Sequence, residues 1–280
     1  MKIIFFGTPD YVLPILKALA KKHEIVAVVT QNPKPTGRKK FLTYSPIDNW
    51  AHKRKVPVIY DLSKIPQADL GILAAYGKII PKSVINNFKL GILNIHPSLL
   101  PKYRGASPVQ AAIISGDAKT GVTIIKLDAE MDHGDILSQF KETIGPEDTT
   151  ETLRQRLFER SSQFLVDLIP NYSNKKIKPK VQNHKEATFT KILEREDGFI
   201  DLDKTQPEVA ERIIRAMQPW PGAWTYVSIN GKKLRFKILK AHLEDNKLIL
   251  DTVQLEGKTP VSWSQFSQAY PEGANSTYSF

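Results

Sequence analysis

Apolar and polar positions change texture twice along this chain. Up to about residue 170, short apolar or β-branched runs recur at 2–6, 25–30, 56–59, 68–75, 92–96, 121–127 and 136–140. Runs of this length between turn residues read as buried strands. The segments between them carry helical spacing or helix signals: one ending near Lys22, then 46–53 and 81–86. Strand, helix, strand at the spacing of the first three elements predicts a parallel pair joined by a right-handed crossover. Further on, Ser107 suits an N-cap, Pro108 a first helical position, and Gly116 a stop. Asp148-Thr-Thr-Glu151 has the form of a capping box, and Leu153, Leu157, Phe164, Leu165 and Leu168 follow at helical spacing. Pro170 is expected to end that helix.

The second texture, 171–187, is polar and carries Lys175, Lys176, Lys178 and Lys180, which suits a linker. The third begins near residue 188. A helix is expected over 207–217, then strands over 223–229, 233–239 and 247–253. Asn230-Gly231 between two alternating runs is a strong hairpin signal. The predicted fold is α/β: a Rossmann-like, mostly parallel sheet with helices on both faces over 1–170, a basic linker over 171–187, and a small OB-like β-barrel over 188–280.

Composition narrows the classes. A chain of 280 residues with 41% hydrophobic content can fill two cores. No long uncharged apolar run suggests a membrane span, and there are no cysteines for disulfides or thiolate metal sites. The six histidines are not closely paired, so no metal is expected. A formal net charge of +11 points to an anionic partner. The turn after the first strand has a single glycine, so a dinucleotide fingerprint is absent. Residues 31–45 form a long basic loop with two prolines, a glycine, Phe41 and Tyr44, suited to gripping phosphates.

Candidate chemistry gathers in 91–135. Side chains alternate along a strand, so Asn94 and His96 fall on one face of the run 92–96, which Pro97 stops. Ligands bind beyond the carboxyl ends of parallel strands. Asp128, Asp132 and Asp135 lie in a nearby loop. An amide and an imidazole can meet a developing oxyanion, and a carboxylate can orient the imidazole or take a proton. With no cysteine and no Gly-x-Ser-x-Gly, the set points to acyl or formyl transfer, or hydrolysis, without a covalent enzyme intermediate.

Asn-Ile-His-Pro-Ser-Leu-Leu-Pro-Lys-Tyr-Arg-Gly at 94–105, followed by Leu-Asp-Ala-Glu-Met-Asp-His-Gly-Asp-Ile at 127–136, resembles the signature of 10-formyltetrahydrofolate-dependent formyltransferases. The resemblance implies catalytic Asn94, His96 and Asp132, and a folate cosubstrate held by Ser98, Leu99, Leu100 and Pro101. It also implies a pterin pocket lined by Ala75, Tyr76, Gly77 and the loop that starts at Asp128.

Three further stretches resemble the branch that formylates methionyl initiator tRNA. They are Thr30-Gln31 with the Pro35 to Lys40 loop, Ser107-Pro108-Val109-Gln110, and Trp220-Pro221-Gly222-Ala223 in the second domain. The implied tRNA contacts are Arg38, Lys39 and Lys40 in the loop and Lys233, Arg235 and Lys237 on the C-terminal hairpin. The segment 60–68 is shorter than that branch leads one to expect, 264–280 matches it loosely, and Pro97 stands where it often has glycine or alanine. The rival readings are formylation of an amino sugar nucleotide or glycinamide ribonucleotide, and a noncatalytic nucleic-acid-binding protein. A cytoplasmic monomer is expected.

Overall fold

Ile3, Ile4, Phe5 and Phe6 are fully buried, which is possible only for a strand covered on both faces. The computed structural model describes residues 1–36 and 41–277. Two compact units emerge. The first comprises Met1–Pro108, Lys119–Thr143 and Arg154–Thr190; the second comprises Val109–Ala118, Ile144–Leu153 and the chain from Lys191 onward.

In the first unit, strands β1 (Lys2–Gly7), β2 (Glu24–Val29), β5 (Val58–Ile59), β6 (Leu70–Ala74), β7 (Ile92–His96), β9 (Lys119–Lys126) and β10 (Ile136–Thr143) form one sheet in the order β10-β9-β7-β6-β1-β2-β5. β1 pairs parallel with β2 and β6, β2 with β5, and β6 with β7. β9 is antiparallel to both β7 and β10. Helices α1 (Leu13–Ala20), α2 (Pro46–Lys53), α3 (Lys82–Ile85) and most of α5 (Thr150–Ser173) belong to this unit, whereas α4 (Pro108–Ile114) falls almost wholly in the second. α1 buries Ile15, Leu16 and Leu19; α2 is capped by Ser45, whose Oγ accepts from Asp48 N at 3.1 Å.

Three local expectations are corrected. Residues 31–45 contain a hairpin, β3 (Lys34–Thr36) against β4 (Phe41–Thr43). α5 runs through Pro170 to Ser173. Proline's φ is already helical, so what the ring costs here is one backbone bond near the helix end. Tyr172 Oη holds that last turn by donating to Leu90 O at 2.6 Å. The helix start also lies one residue later than the expected capping box. Thr152 N donates to Thr149 Oγ1 at 3.3 Å and Thr149 N donates to Thr152 Oγ1 at 3.0 Å.

The segment 171–187 is not a free tether. Lys180 bridges to Ile136, and β11 (Phe189–Thr190) pairs parallel with β8 (Arg104–Gly105). Both pairings belong to the first unit.

In the second unit β12 (Ala223–Ile229), β13 (Lys232–Glu244), β14 (Lys247–Leu255) and β15 (Val261–Ser262) form an antiparallel sheet in sequence order. Asn230 and Gly231 both take positive φ, 50° and 70°, as a two-residue primed turn requires. Helices α6 (Pro207–Ala216), α7 (Trp263–Ala269) and α8 (Pro271–Thr277) accompany it. Ala210, Ile214, Phe236, Ile238, Val253 and Phe266 share its apolar core. The pieces drawn from earlier in the chain are tied to α6: Arg212 Nε donates to Ile114 O at 3.0 Å and Thr150 Oγ1 to Ala216 O at 2.6 Å. No helix among the described residues is long and apolar enough to cross a membrane.

Candidate active site

β7 is buried at all five positions, so its two polar side chains must find partners. Asn94 and His96 are 6% and 4% exposed. Both turn to Asp132 in the loop between β9 and β10. Asn94 Nδ2 donates to Asp132 Oδ1 at 3.0 Å, and Gly105 N donates to Asp132 Oδ2 at 2.8 Å. His96 Nδ1 lies 3.5 Å from Asp132 Oδ2. The other imidazole nitrogen, Nε2, is 2.9 Å from Tyr103 O. A carbonyl only accepts, so Nε2 is the donor to Tyr103 O and Nδ1 is the nitrogen that faces the carboxylate. One Asn94 N–H is committed to Asp132, and the second is available to an incoming oxygen.

The backbone around this trio is held in unusual conformations. Ala75, Tyr103 and Asp132 have φ of 48°, 61° and 48°. Non-glycine residues in that region persist where surrounding contacts enforce them, and they cluster at functional sites.

The loop 98–101 is fastened from below. Ser98 is buried and its Oγ donates to Lys102 O at 2.6 Å. Thr123 Oγ1 donates to Ser98 O at 2.7 Å and accepts from Leu100 N at 3.0 Å. Gln139 Nε2 donates to Leu100 O at 2.9 Å. Leu100 is buried, while Leu99 and Pro101 remain partly accessible. Ser98 therefore shapes the loop through its hydroxyl instead of offering it outward.

Ala75, Tyr76 and Gly77 follow β6. Tyr76 is 1% exposed and packs with Phe6 in the apolar core, ring centroids 6.0 Å apart. That burial raises its phenol above the ordinary value. Its side chain belongs to the core, and what it can show a ligand is backbone. Its carbonyl accepts from Gln31 Nε2 at 3.0 Å and Thr8 Oγ1 at 3.2 Å. Asp128 turns from the trio to His133, whose Nδ1 is 2.7 Å from Oδ2. Asp135 is exposed.

A family model described as "Formyl transferase" matches residues 1–169, and one described as "Formyl transferase, C-terminal domain" matches residues 192–248. The first alone spans more than half of the chain. The chain belongs to the formyl transferase family. It is 42% identical over 252 residues to a methionyl-tRNA formyltransferase of Chloroflexus aurantiacus, covering 86% of this chain and 80% of that protein. Among solved structures it resembles a methionyl-tRNA formyltransferase from Clostridium thermocellum, with a TM-score of 0.60 and 22% identity over 91% of this chain and 98% of that one. It also resembles the sugar 3N-formyl transferase WlaRD, with a TM-score of 0.69 and 19% identity over 92% and 99%. At such identities the two structures speak for the fold alone.

Around the trio of this formyl transferase stand residues that the sequence reading missed. Arg104 is 4% exposed, and its Nη2 donates to Gln182 Oε1 and to His184 Nδ1, both at 2.8 Å. His184 stacks on His133, with centroids 4.0 Å apart and planes within 5°. Only the Arg104-Gly105 pair that closes the signature could have hinted at Arg104. Nothing local marks Gln182, because an amide that bonds backbone carbonyls needs no pattern around it.

In the second unit, Lys233, Arg235 and Lys237 share one face of β13, opposite Ser228, Tyr226 and Trp224. Arg235 lies 3.9 Å over the Trp224 ring and Lys233 lies 4.3 Å over Tyr226. Arg38, Lys39 and Lys40 lie outside the described residues. Among the described residues no group of three or more histidines and carboxylates is placed to hold a metal ion.

Proposed function

We propose that this protein transfers the formyl group of 10-formyltetrahydrofolate to the α-amino group of methionyl initiator tRNA, for translation initiation. The carrying observation is the Asp132 carboxylate, held by Asn94 and Gly105 N–H groups and facing His96 Nδ1 at 3.5 Å. The 42% identity to a methionyl-tRNA formyltransferase supports the choice of acceptor. The α-amine attacks the formyl carbon, a C–N bond forms, and the carbonyl oxygen gains negative charge. The free Asn94 N–H donates to that oxygen, as an oxyanion partner must. Asp132 with His96 accepts the proton that the amine loses and returns it to the folate nitrogen as the old C–N bond breaks. A free α-amino group titrates near ~7.7–8.0, so a neutral fraction is present at neutral pH.

On this reading Ser98, Leu99, Leu100 and Pro101 shape the wall for the folate, with backbone from Ala75, Tyr76 and Gly77 and the Asp128 turn. The apolar Leu99 and Pro101 surface suits a pterin face, and the left-handed Ala75 and Gly77 present backbone polar groups suited to its edge. Arg38, Lys39 and Lys40 would grip the acceptor end of the tRNA, and Lys233, Arg235 and Lys237 its backbone. We place the reaction in the cytoplasm and take the protein to act as a monomer with a catalytic region, 1–170, and a tRNA-binding region, 188–280. The test is to offer charged initiator tRNA, glycinamide ribonucleotide and an amino sugar nucleotide in turn with 10-formyltetrahydrofolate. Faster formylation of either small acceptor would overturn the assignment.

A further inference from the structure

Gln182 lies between the two family matches, which end at 169 and resume at 192. It is nevertheless 4% exposed and tied to the candidate active site through both polar atoms of its side chain. Its Nε2 donates to Asp132 O at 2.8 Å and Gly134 O at 2.7 Å, and its Oε1 accepts from Arg104 Nη2 at 2.8 Å. Two N–H donors meet two carbonyls and the oxygen meets a guanidinium, so only one orientation of the amide satisfies every group.

The carbonyl that it grips belongs to Asp132, whose backbone is left-handed with φ of 48°. The guanidinium that it accepts from belongs to Arg104, whose neighbour Gly105 donates its N–H to that same carboxylate at 2.8 Å. Gln182 thus joins the two strokes of chain that aim Asp132. Flanking bonds hold it there. Lys180 exchanges both backbone bonds with Ile136 at 2.8 Å, and Thr188 Oγ1 accepts from Tyr103 N at 2.8 Å.

We infer that Gln182 is a positioning residue for the transfer reaction: it clamps the Asp132 turn so that the carboxylate faces His96 and the attacking amine. This rests on the functional reading above, and it adds to that reading a residue from the segment between the matched regions. Misplacing a catalytic group by about 1 Å can lower a rate by about 10²-fold. Gln182→Leu keeps the volume and removes all three bonds. Its kcat is expected to fall about 10- to 100-fold. KM for 10-formyltetrahydrofolate and for charged tRNA should stay within about 3-fold, since the amide is buried.

Two further readouts separate aiming from mere stability. In an Asp132→Asn background, Gln182→Leu should add less than about 3-fold, because the clamp acts only through Asp132. Amide exchange of residues 128–135 should speed up in Gln182→Leu while the sheet stays protected. If Gln182→Leu does not fold, Gln182→Glu keeps the length and the Arg104 acceptor but sets an oxygen against two carbonyls, and the same kinetic split is expected. An unchanged kcat, or losses that multiply in the double variant, would overturn the inference. Should the wild-type protein transfer no formyl group at all, the functional reading fails by itself. Amide exchange then decides the clamp: unchanged protection of 128–135 in the folded variant rejects it, and faster exchange sustains it.

Discussion

Asp132 has donors on each oxygen it owns: Asn94 on Oδ1, Gly105 on Oδ2 and Gln182 on the main-chain carbonyl. Asp132→Asn can accept one of the two side-chain bonds, but its amide nitrogen must then face the other donor. Turnover should fall by about 10²-fold or more as the base is lost. Stability should drop by about 1–3 kcal/mol from the mismatched donor, with the fold kept. Steady-state kinetics and thermal melting read the two effects separately, and near-normal turnover would remove Asp132 from the chemistry. Asn94→Ala removes the proposed oxyanion donor and one support of Asp132, and kcat should fall about 10²–10³-fold with the substrate KM little changed. At this scale the sequence was uneven to read. Alternation along β7 is enough to put Asn94 and His96 on one face. Spacing alone left Asp128, Asp132 and Asp135 open, and only the resemblance pointed to Asp132. The structure distinguishes them by partners: Asp128 pairs with His133, Asp135 is exposed, and Asp132 meets Asn94, His96 and Gly105 N. Tyr76 shows the reverse limit, since a motif position cannot reveal that the ring packs inward.

Among the elements, a two-residue strand has a direct effect on the site. β8 is only Arg104–Gly105, yet Gly105 supplies the backbone donor for Asp132. Gly105 has φ of 104°, and a Cβ there would lie 2.4 Å from Thr190 O in β11. Gly105→Ala should therefore strain the backbone and part β8 from β11, at a cost of about 1–3 kcal/mol. Activity should fall with it, because the displaced N–H leaves Asp132 Oδ2 without its donor. A drop in melting temperature with unchanged kcat would detach β8 from the chemistry. Two-residue strands have no period to read, so β8 and β11 were invisible in the sequence, and 171–187 read as a linker because its charges dominate. Long periodic elements were legible: α2, β7 and β12 occur where their patterns place them. α7 did carry a signal, the Ser262 and Gln265 capping box followed by Trp263, Phe266 and Tyr270 at helical spacing.

At the scale of the whole molecule, a net charge of +11 needs a partner or a solvated face. Lys233, Arg235 and Lys237 on one face of β13 are the most compact test of that choice among the described residues. Replacing all three by alanine should lower the log–log salt slope of tRNA affinity by about 2, since each lost phosphate contact removes roughly 0.7–0.9. KM for 10-formyltetrahydrofolate should be unaffected, and an unchanged salt slope would make this face a solvated surface. Point variants are the better route here than truncation, because Val109–Ala118 and Ile144–Leu153 belong to the second unit. Cutting after Thr190 would strip Ile114 O and Thr150 of their α6 partners, so the remaining piece should lose stability as well as tRNA contacts. The account stands or falls on the acceptor and the carboxylate together. The most direct measurement is the single-turnover rate of formyl transfer from 10-formyltetrahydrofolate to methionyl initiator tRNA, wild-type protein against Asp132→Asn. Transfer by the wild type, slowed about 10²-fold in the variant, is the predicted result. No transfer by the wild type, or equal rates in both proteins, would contradict it.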